Sequence, residues 1–173
     1  GRGQIDHVLV HAPGRFSEYA IQAVSNIRWA YAKGIKKLSV NLVGEGTLPE
    51  LVNSLPSQHQ GAFPRYGGQV FESVAPMVLR KYLSRGKKSV QGQIREELLE
   101  RGFSEPESID VWCDQKMVER GLKGYVLQRK PGKPQPRFAR SWGATIRFAS
   151  PQEIDPLALG YASHFGLGLF RSI

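Results

Sequence analysis

The sequence predicts an α+β fold in which strands and helices alternate along a single domain. Three observations support this class. Short runs rich in β-branched residues alternate with runs of helical apolar periodicity, and Pro and Gly separate them. The 173 residues are enough for one substantial domain, and 40% apolar residues is usual for a chain with a core. We therefore expect residues 1–173 to form one domain.

The first part of the chain is predicted to run strand, helix, strand. Residues 5–12 have the composition of a strand, and residues 16–34 have helical apolar spacing with Ser17 as N-cap. The segment 36–46 alternates as a strand up to a glycine turn. Such a unit favours parallel pairing of its strands through a right-handed crossover. Residues 47–68 are expected to be irregular.

The second part repeats this order. Residues 69–79 are predicted to be extended, and Pro76 restricts them to an edge strand or a broken strand. A helix is predicted at 89–103 and a strand at 108–114. Residues 121–137, rich in Pro, Gly and basic side chains, are expected to form a mobile loop or hairpin.

The last predicted strand spans residues 138–149 and places Ala144, Ile146 and Phe148 on one face. A glycine-rich segment, residues 157–170, then closes the fold. The complete order is typical of a ferredoxin-like (RRM-like) split βαβ plan with additional C-terminal strands and a glycine-rich loop.

Excess positive charge is the strongest feature of the composition. The chain has 24 Lys and Arg against 15 Asp and Glu, a formal net charge of +9, and such an excess attracts polyanions. The basic residues concentrate at 80–88 and between Lys116 and Arg147, with aromatic residues interleaved. Two such clusters suit a groove that follows a nucleic-acid backbone. A solvated surface is the alternative interpretation, and an anionic membrane surface is disfavoured because neither cluster lies on a helix with a clean apolar face.

The sequence contains no Walker loop, dinucleotide fingerprint or His and Cys cluster with metal-ligand spacing. Its acids are scattered, which disfavours a magnesium nuclease, and we expect neither a metal nor a cofactor. Cys113 is interpreted as a structural thiol, and as the single Cys it indicates a reducing compartment, the cytoplasm. No run approaches the about 20 apolar residues of a membrane span, so no membrane association is expected.

The histidines are the candidate catalytic residues. Metal-free RNA cleavage needs a base for the 2′-OH, an acid for the leaving oxygen and a cation near the phosphorane. His11, at the end of the first predicted strand, and His7, on the same face, are the candidates for acid–base catalysis. A hydrogen-bonded structural role is the alternative for both. His164 adjoins the glycine run and suits substrate contact, whereas His59 is expected in an exposed loop.

The glycine run itself permits two interpretations. It can be a last strand with close backbone packing. It can also be a loop whose amides, unobstructed by side chains, approach a phosphate. The local pattern leaves both open.

The segment PLALGYASHFGLGLF (156–170) resembles the C-terminal glycine-rich signature of the CRISPR-associated RAMP proteins. Within that family it resembles the processing half of the fused subunit of type I systems, subtype G. Four other segments agree in order: DHVLVHAPGRF (6–16), FESVAPMVLRKY (71–82), GQIREELLERG (92–102) and SWGATIRFASPQEIDPLALG (141–160). The resemblance covers most of the chain, and the last segment is its most specific part. Because the family member is longer, we expect this chain to be a fragment.

The resemblance implies a ferredoxin-like domain that binds and cleaves CRISPR repeat transcripts. Cleavage would need no metal and would leave a 5′-hydroxyl and a 2′,3′-cyclic phosphate. The guide RNA would stay bound in an interference complex with other subunits, including a handle-binding domain. Related nucleases place the catalytic histidine in or near the first helix, and His11 is the nearest candidate here. The alternatives are a non-catalytic subunit that holds the guide RNA, and a basic DNA-contacting or scaffold domain.

The implied RNA contacts are basic side chains and the closing segment. Leu167, Leu169 and Phe170 are expected to pack in the core while RNA lies against the glycines. The expected contact residues are Arg80, Lys81, Lys87, Lys88, Lys130, Lys133, His164, Phe165, Gly166 and Gly168.

Overall fold

The chain folds into two compact units, Gly1–Leu51 and Val52–Ile173. The structure is a computed structural model that describes residues 8–12, 14–32, 35–60, 67–81, 83, 89–122, 131–132, 140–153 and 156–173. Helices and antiparallel sheets occur together, which confirms the α+β class. The assignment of the whole chain to one domain stays a prediction.

In its described residues, the first unit includes a short helix and a β-hairpin, and a second helix begins at its end. Helix α1 (Glu18–Ser25) begins at the predicted N-cap, where the Ser17 hydroxyl accepts a hydrogen bond from the Ala20 amide at 3.2 Å. Strands β1 (Trp29–Ala32) and β2 (Ile35–Ser39) pair antiparallel. Helix α2 (Leu48–Ser54) starts in this unit and is followed by α3 (Ser57–Gln60).

Several sequence predictions for this part of the chain are wrong. Described residues 8–12 form no strand, and Val8 and Val10 are 79% and 57% exposed. The predicted helix 16–34 ends at Ser25, and the aromatic stretch after it forms β1. Aromatic and β-branched residues favour a strand, and here that preference overrides the helical spacing. The predicted parallel crossover is instead a hairpin, and residues 47–68 contain two helices.

The second unit is built on a four-stranded sheet. Its strands are β3 (Gly68–Ser73), β4 (Pro106–Trp112), β5 (Gly143–Gln152) and β6 (Phe170–Ser172), in the order β4-β5-β3-β6. Every neighbouring pair is antiparallel. Strands β3 and β4 therefore run parallel to each other on either side of β5.

Helix α4 (Val90–Glu100) makes the connection from β3 to β4, and it confirms the helix predicted at 89–103. The Ser89 hydroxyl caps it by accepting from the Gly92 amide at 3.0 Å. A short helix that the sequence did not predict, α5 (Gln115–Glu119), follows β4. Most of the loop expected at 121–137 lies outside the described residues.

The strand predictions hold for this unit, with shifts of a few residues. The segments 108–114 and 138–149 correspond to β4 and β5. The extended segment 69–79 is a broken strand, as one alternative expected: β3 ends at Ser73, and Met77 then forms an isolated bridge to Trp142. It is not an edge strand, because β3 lies between β5 and β6.

One face of this sheet and helix α4 enclose the core. Ile94 and Leu98 of α4 pack with Phe71, Ile146 and Phe148, which all lie on the inner face of the sheet. The rings of Phe71 and Phe148 meet edge to face, with centroids 5.8 Å apart. Burial of each large apolar side chain contributes about 1.5–3 kcal/mol. The alternation predicted for β5 is confirmed, since Ala144 also has no exposed surface.

Candidate nucleic-acid interface

The glycine-rich segment is an ordered turn. Backbone hydrogen bonds attach it to residues 74–81, the segment that follows β3 and is called here the extension of β3. The Gly168 amide donates to the Pro76 carbonyl at 2.9 Å, and the Tyr161 amide donates to the Val78 carbonyl at 2.7 Å. Within the turn, the Leu159 amide donates to the Gly168 carbonyl at 2.9 Å. A single turn of 3₁₀ helix, Ser163–Phe165, forms its tip.

A buried carboxylate fixes the start of this turn. Glu97 on α4 accepts a hydrogen bond from the Gly160 amide at 3.0 Å, and its side chain is 8% exposed. The same carboxylate pairs with Arg101, and Arg80 lies 3.9 Å away. A buried carboxylate needs such partners, because an unpaired buried charge is costly. Glu97 was missed in the sequence analysis.

The glycines of the turn have different roles. Gly168 has φ +61° and is buried, and a Cβ atom there would collide with the Leu159 carbonyl oxygen. The expectation that RNA lies against Gly168 is therefore wrong, because protein backbone occupies that space. Gly166 has φ +87° and only open space where a Cβ atom would lie. The packing interpretation holds for Gly168, whereas Gly166 faces solvent.

The exposed tip of the turn carries His164 and Tyr161, which is 51% exposed. The Phe165 side chain lies outside the described part of the structure. Phe170 is fully buried, as expected, but Leu167 and Leu169 are only half-buried.

Arg80 and Lys81 lie at the end of the extension of β3, beside α4. Arg80 Nη1 is 3.3 Å from Glu100 Oε2, and Lys81 Nζ is 2.9 Å from Glu96 Oε1. Both pairs lie at the surface, where such pairs contribute little to stability and exchange readily. A phosphate would have to compete with these carboxylates. Phosphate binding by these two side chains stays a prediction.

The remaining predicted site residues are only partly described. His11 is exposed and belongs to the first unit. His59 lies in the helix α3, where the sequence analysis expected a loop. Five predicted residues lie outside the described residues: His7, Lys87, Lys88, Lys130 and Lys133.

The outer face of the sheet carries two arginines that the sequence analysis did not single out. Arg147 on β5 is exposed and pairs in register with Val70, while Arg171 on β6 is exposed and pairs with Glu72. Residues directly opposite on neighbouring strands share a face. Both arginines therefore extend from the face of the sheet that α4 does not cover.

These two arginines differ from the other cations of the second unit. Every other Lys or Arg that the structure describes between Val52 and Ile173 has a carboxylate oxygen within 4.0 Å. Within that described part, no carboxylate pairs with Arg147 or Arg171. The alternation of β5 places Arg147 on the face opposite the core. Which Lys and Arg side chains form ion pairs with acids, however, depends on the tertiary structure.

Helix α5 covers the β4 end of this outer face. Trp112 of β4 is buried beneath Met117 and Leu122, and Arg120 Nη1 reaches across to Glu72 Oε2 at 2.5 Å. The hydrogen bond to Glu72, followed by its negative charge, raises the pKa of Arg120. Glu72, an acid on this face, is thereby paired.

Asp110, also on this face, pairs with Lys116 at 2.7 Å. The exposed Glu107 lies in the bulge of β4 next to Ser108, the partner of Arg147, but it makes no ion pair with that arginine.

Cys113 is a free thiol at the end of β4. Partial burial raises the pKa of this thiol, and so do the hydrogen bond to Asp114 at 3.3 Å and the charge of that acid. A raised pKa keeps the sulfur protonated at neutral pH, as a structural thiol requires.

The described residues also bear on two other features, a metal site and a membrane-spanning helix. No group of three His, Cys, Asp or Glu side chains among them is arranged to hold a metal ion. In the same part of the chain, every helix is too short or too polar to span a bilayer.

No protein-family model, curated protein or solved structure matches this chain.

Proposed function

We propose that the chain is the RNA-processing part of a RAMP subunit of a CRISPR system. It binds CRISPR repeat RNA in the cytoplasm and cleaves it without a metal ion, leaving a 2′,3′-cyclic phosphate. It then stays with the guide RNA in an interference complex, beside other subunits that include a handle-binding domain.

The observation that carries this proposal is the position of the glycine-rich turn within the second unit. This turn is the segment with the most specific resemblance to the RAMP family. Backbone hydrogen bonds attach it to the residues that follow β3, and it directs His164 and Gly166 toward solvent. A core-anchored turn with an exposed histidine and an unobstructed glycine suits contact with a phosphate backbone.

The strand order supports the finer fold proposed for this unit, a ferredoxin-like split βαβ arrangement. Strands β3 and β4, joined by α4, lie on either side of β5. Strands β5 and β6 similarly lie on either side of β3, and the 3₁₀ turn Ser163–Phe165 lies in the connection between them. Two interleaved units of this kind make up the ferredoxin-like plan, which many RNA-binding modules share.

Cleavage is the part of the proposal that depends on His11. A general acid or base must reach the 2′-OH or the leaving oxygen of a bound RNA, and an exposed imidazole meets this requirement. His11 is exposed, which favours such a role.

A non-catalytic subunit that only holds the guide RNA is the second candidate. This candidate is favoured because the unpaired arginines and the candidate catalytic histidine lie in different units. The unpaired arginines Arg147 and Arg171 lie in the second unit, whereas His11 lies in the first. RNA binding by the sheet therefore does not by itself require His11.

A single-turnover assay with labelled CRISPR repeat RNA and EDTA tests the proposal. We expect the wild-type protein to produce a 2′,3′-cyclic phosphate and His11→Ala to bind RNA within a few-fold but not to cleave it. Gln22→Ala is the control, because it truncates an exposed polar side chain of the same unit to which no role in RNA binding or cleavage is assigned.

Each result of this assay has a distinct meaning. Cleavage by wild type and by His11→Ala at similar rates would contradict the role of His11 and retain the nuclease. Tight binding without cleavage by wild type would establish the guide-holding subunit. No preference for repeat RNA over random RNA would contradict both candidates.

A further inference from the structure

We propose that a single strand of RNA crosses the outer face of the four-stranded sheet, with its phosphates bound by Arg147 and Arg171 and its bases unread. This inference rests on the proposed function, since it assumes that the chain binds RNA. It adds the binding surface, the strandedness of the ligand and the mode of recognition.

Charge is the first argument for this surface. Arg147 and Arg171 are exposed, and within the described residues neither has a carboxylate partner. Two acids of the same face are already paired, Glu72 with Arg120 and Asp110 with Lys116. A phosphate that approaches this face meets net positive charge and displaces no existing ion pair at the two arginines.

Register gives the spacing of the two cations. Arg147 and Arg171 flank β3, opposite Val70 and Glu72 respectively. Because strands lie about 4.8 Å apart and residues rise about 3.3 Å along a strand, the two Cα atoms are about 12 Å apart. A strand of RNA that runs diagonally across β3 can therefore place separate phosphates on the two guanidinium groups.

The shape of the uncovered face favours a single strand over a duplex. Helix α5 and the buried Trp112 close the β4 end of the face. What remains is the strip formed by β5, β3 and β6, which is about 10 Å from its first strand to its last. Within the described residues, a strip of this width carries no helix or β-ribbon that would enter the groove of a duplex.

The side chains of the strip predict that bases are not read. Sequence-tolerant stacking and base recognition by sheets depend on exposed aromatic rings. The aromatic residues that the structure describes on β3, β5 and β6 are Phe71, Phe148 and Phe170, and all three are buried in the core. Val70 and Thr145, which lie beside Arg147 on the outer face, provide no aromatic ring on which a base could stack.

Binding of labelled single-stranded RNA over a series of salt concentrations tests the proposal. We would measure fluorescence anisotropy with two oligonucleotides of equal length and different sequence, using Arg147→Gln, Arg171→Gln and the double variant. The matched control is Arg95→Gln, which removes the same charge from α4, where Arg95 pairs with Glu105 at 2.7 Å. Thermal unfolding of each variant verifies that the fold is retained.

Each outer-face variant should weaken binding roughly three- to tenfold at low salt. Each should also reduce the steepness of the salt dependence by about 0.7, the value for one phosphate contact on a single strand. The effects should be equal for the two sequences, and Arg95→Gln should bind like wild type.

Three results would overturn the inference. One is an outer-face variant that behaves like Arg95→Gln, another is a loss confined to one of the two sequences, and the third is tighter binding of a duplex of equal length. In each of these cases wild type still binds RNA, so the proposed function stands. Absence of RNA binding by wild type would instead contradict the proposed function.

Discussion

At the scale of single residues, the glycine-rich turn is determined by backbone conformation and space. Gly166 and Gly168 both have positive φ, which L-residues with a side chain rarely adopt. They differ in their surroundings, since Gly168 lies against the Leu159 carbonyl and Gly166 against open space. A side chain would therefore strain the backbone at both positions, and at Gly168 it would also collide with neighbouring backbone atoms.

This difference predicts unequal losses of stability. Gly166→Ala should cost about 1–2 kcal/mol of unfolding free energy, from the left-handed conformation alone. Gly168→Ala should cost about 2–5 kcal/mol, because the turn must also move away from Leu159. Urea unfolding monitored by circular dichroism measures both values. Equal losses for the two variants would show that the contact at Gly168 relaxes without cost.

At the scale of elements, α4 covers the inner face of the sheet with one side of the helix. Ile94 and Leu98 are within 1% of full burial, whereas Leu99, one residue further on, is 46% exposed. The Ser89 cap sets where the helix begins, and so sets which residues face the sheet.

Leu98→Ala and Leu99→Ala compare the two sides of this helix at equal helix propensity. Leu98→Ala should cost about 2–5 kcal/mol, because it leaves a cavity against the core. Leu99→Ala should change the unfolding free energy by less than about 1 kcal/mol. Denaturant unfolding of the two variants measures the difference, and a similar loss at both positions would contradict the described helix orientation.

At the scale of the whole molecule, the two units differ in how much apolar surface they bury. Among the described residues, Leu48 is the buried hydrophobic side chain of Gly1–Leu51, whereas the core clusters lie entirely in Val52–Ile173. Trp29 and Tyr31 in β1 are 48% and 71% exposed. A two-stranded sheet with exposed aromatic side chains is marginally stable by itself.

The units should therefore behave differently when separated. A fragment of residues 55–173, cut after α2, should fold cooperatively and give a well-dispersed amide NMR spectrum. A fragment of residues 1–54 should remain largely unfolded. Circular dichroism and NMR spectra of the two fragments test this. A folded 1–54 fragment, or an unfolded 55–173 fragment, would contradict it.

The sequence pattern predicts correctly those elements in which the local pattern and the contacts in the core agree. The helical spacing of Ile94 and Leu98 predicted α4, and the alternation of Ala144, Ile146 and Phe148 predicted the inner face of β5. In these segments the periodicity that selects the secondary structure also selects the buried face, so local and tertiary preferences coincide.

Where local and tertiary preferences conflict, or where residues distant in the chain meet, the conformation is apparent only from the tertiary structure. The helical spacing of 16–34 continues past Ser25, yet the chain turns there into a hairpin. The glycine pattern predicted a phosphate contact at Gly168, whereas in the structure the backbone of Leu159 lies against this residue. Ion pairing likewise leaves Arg147 and Arg171 without partners. Strand order and carboxylate positions depend on contacts between residues far apart in the chain, which no local pattern encodes.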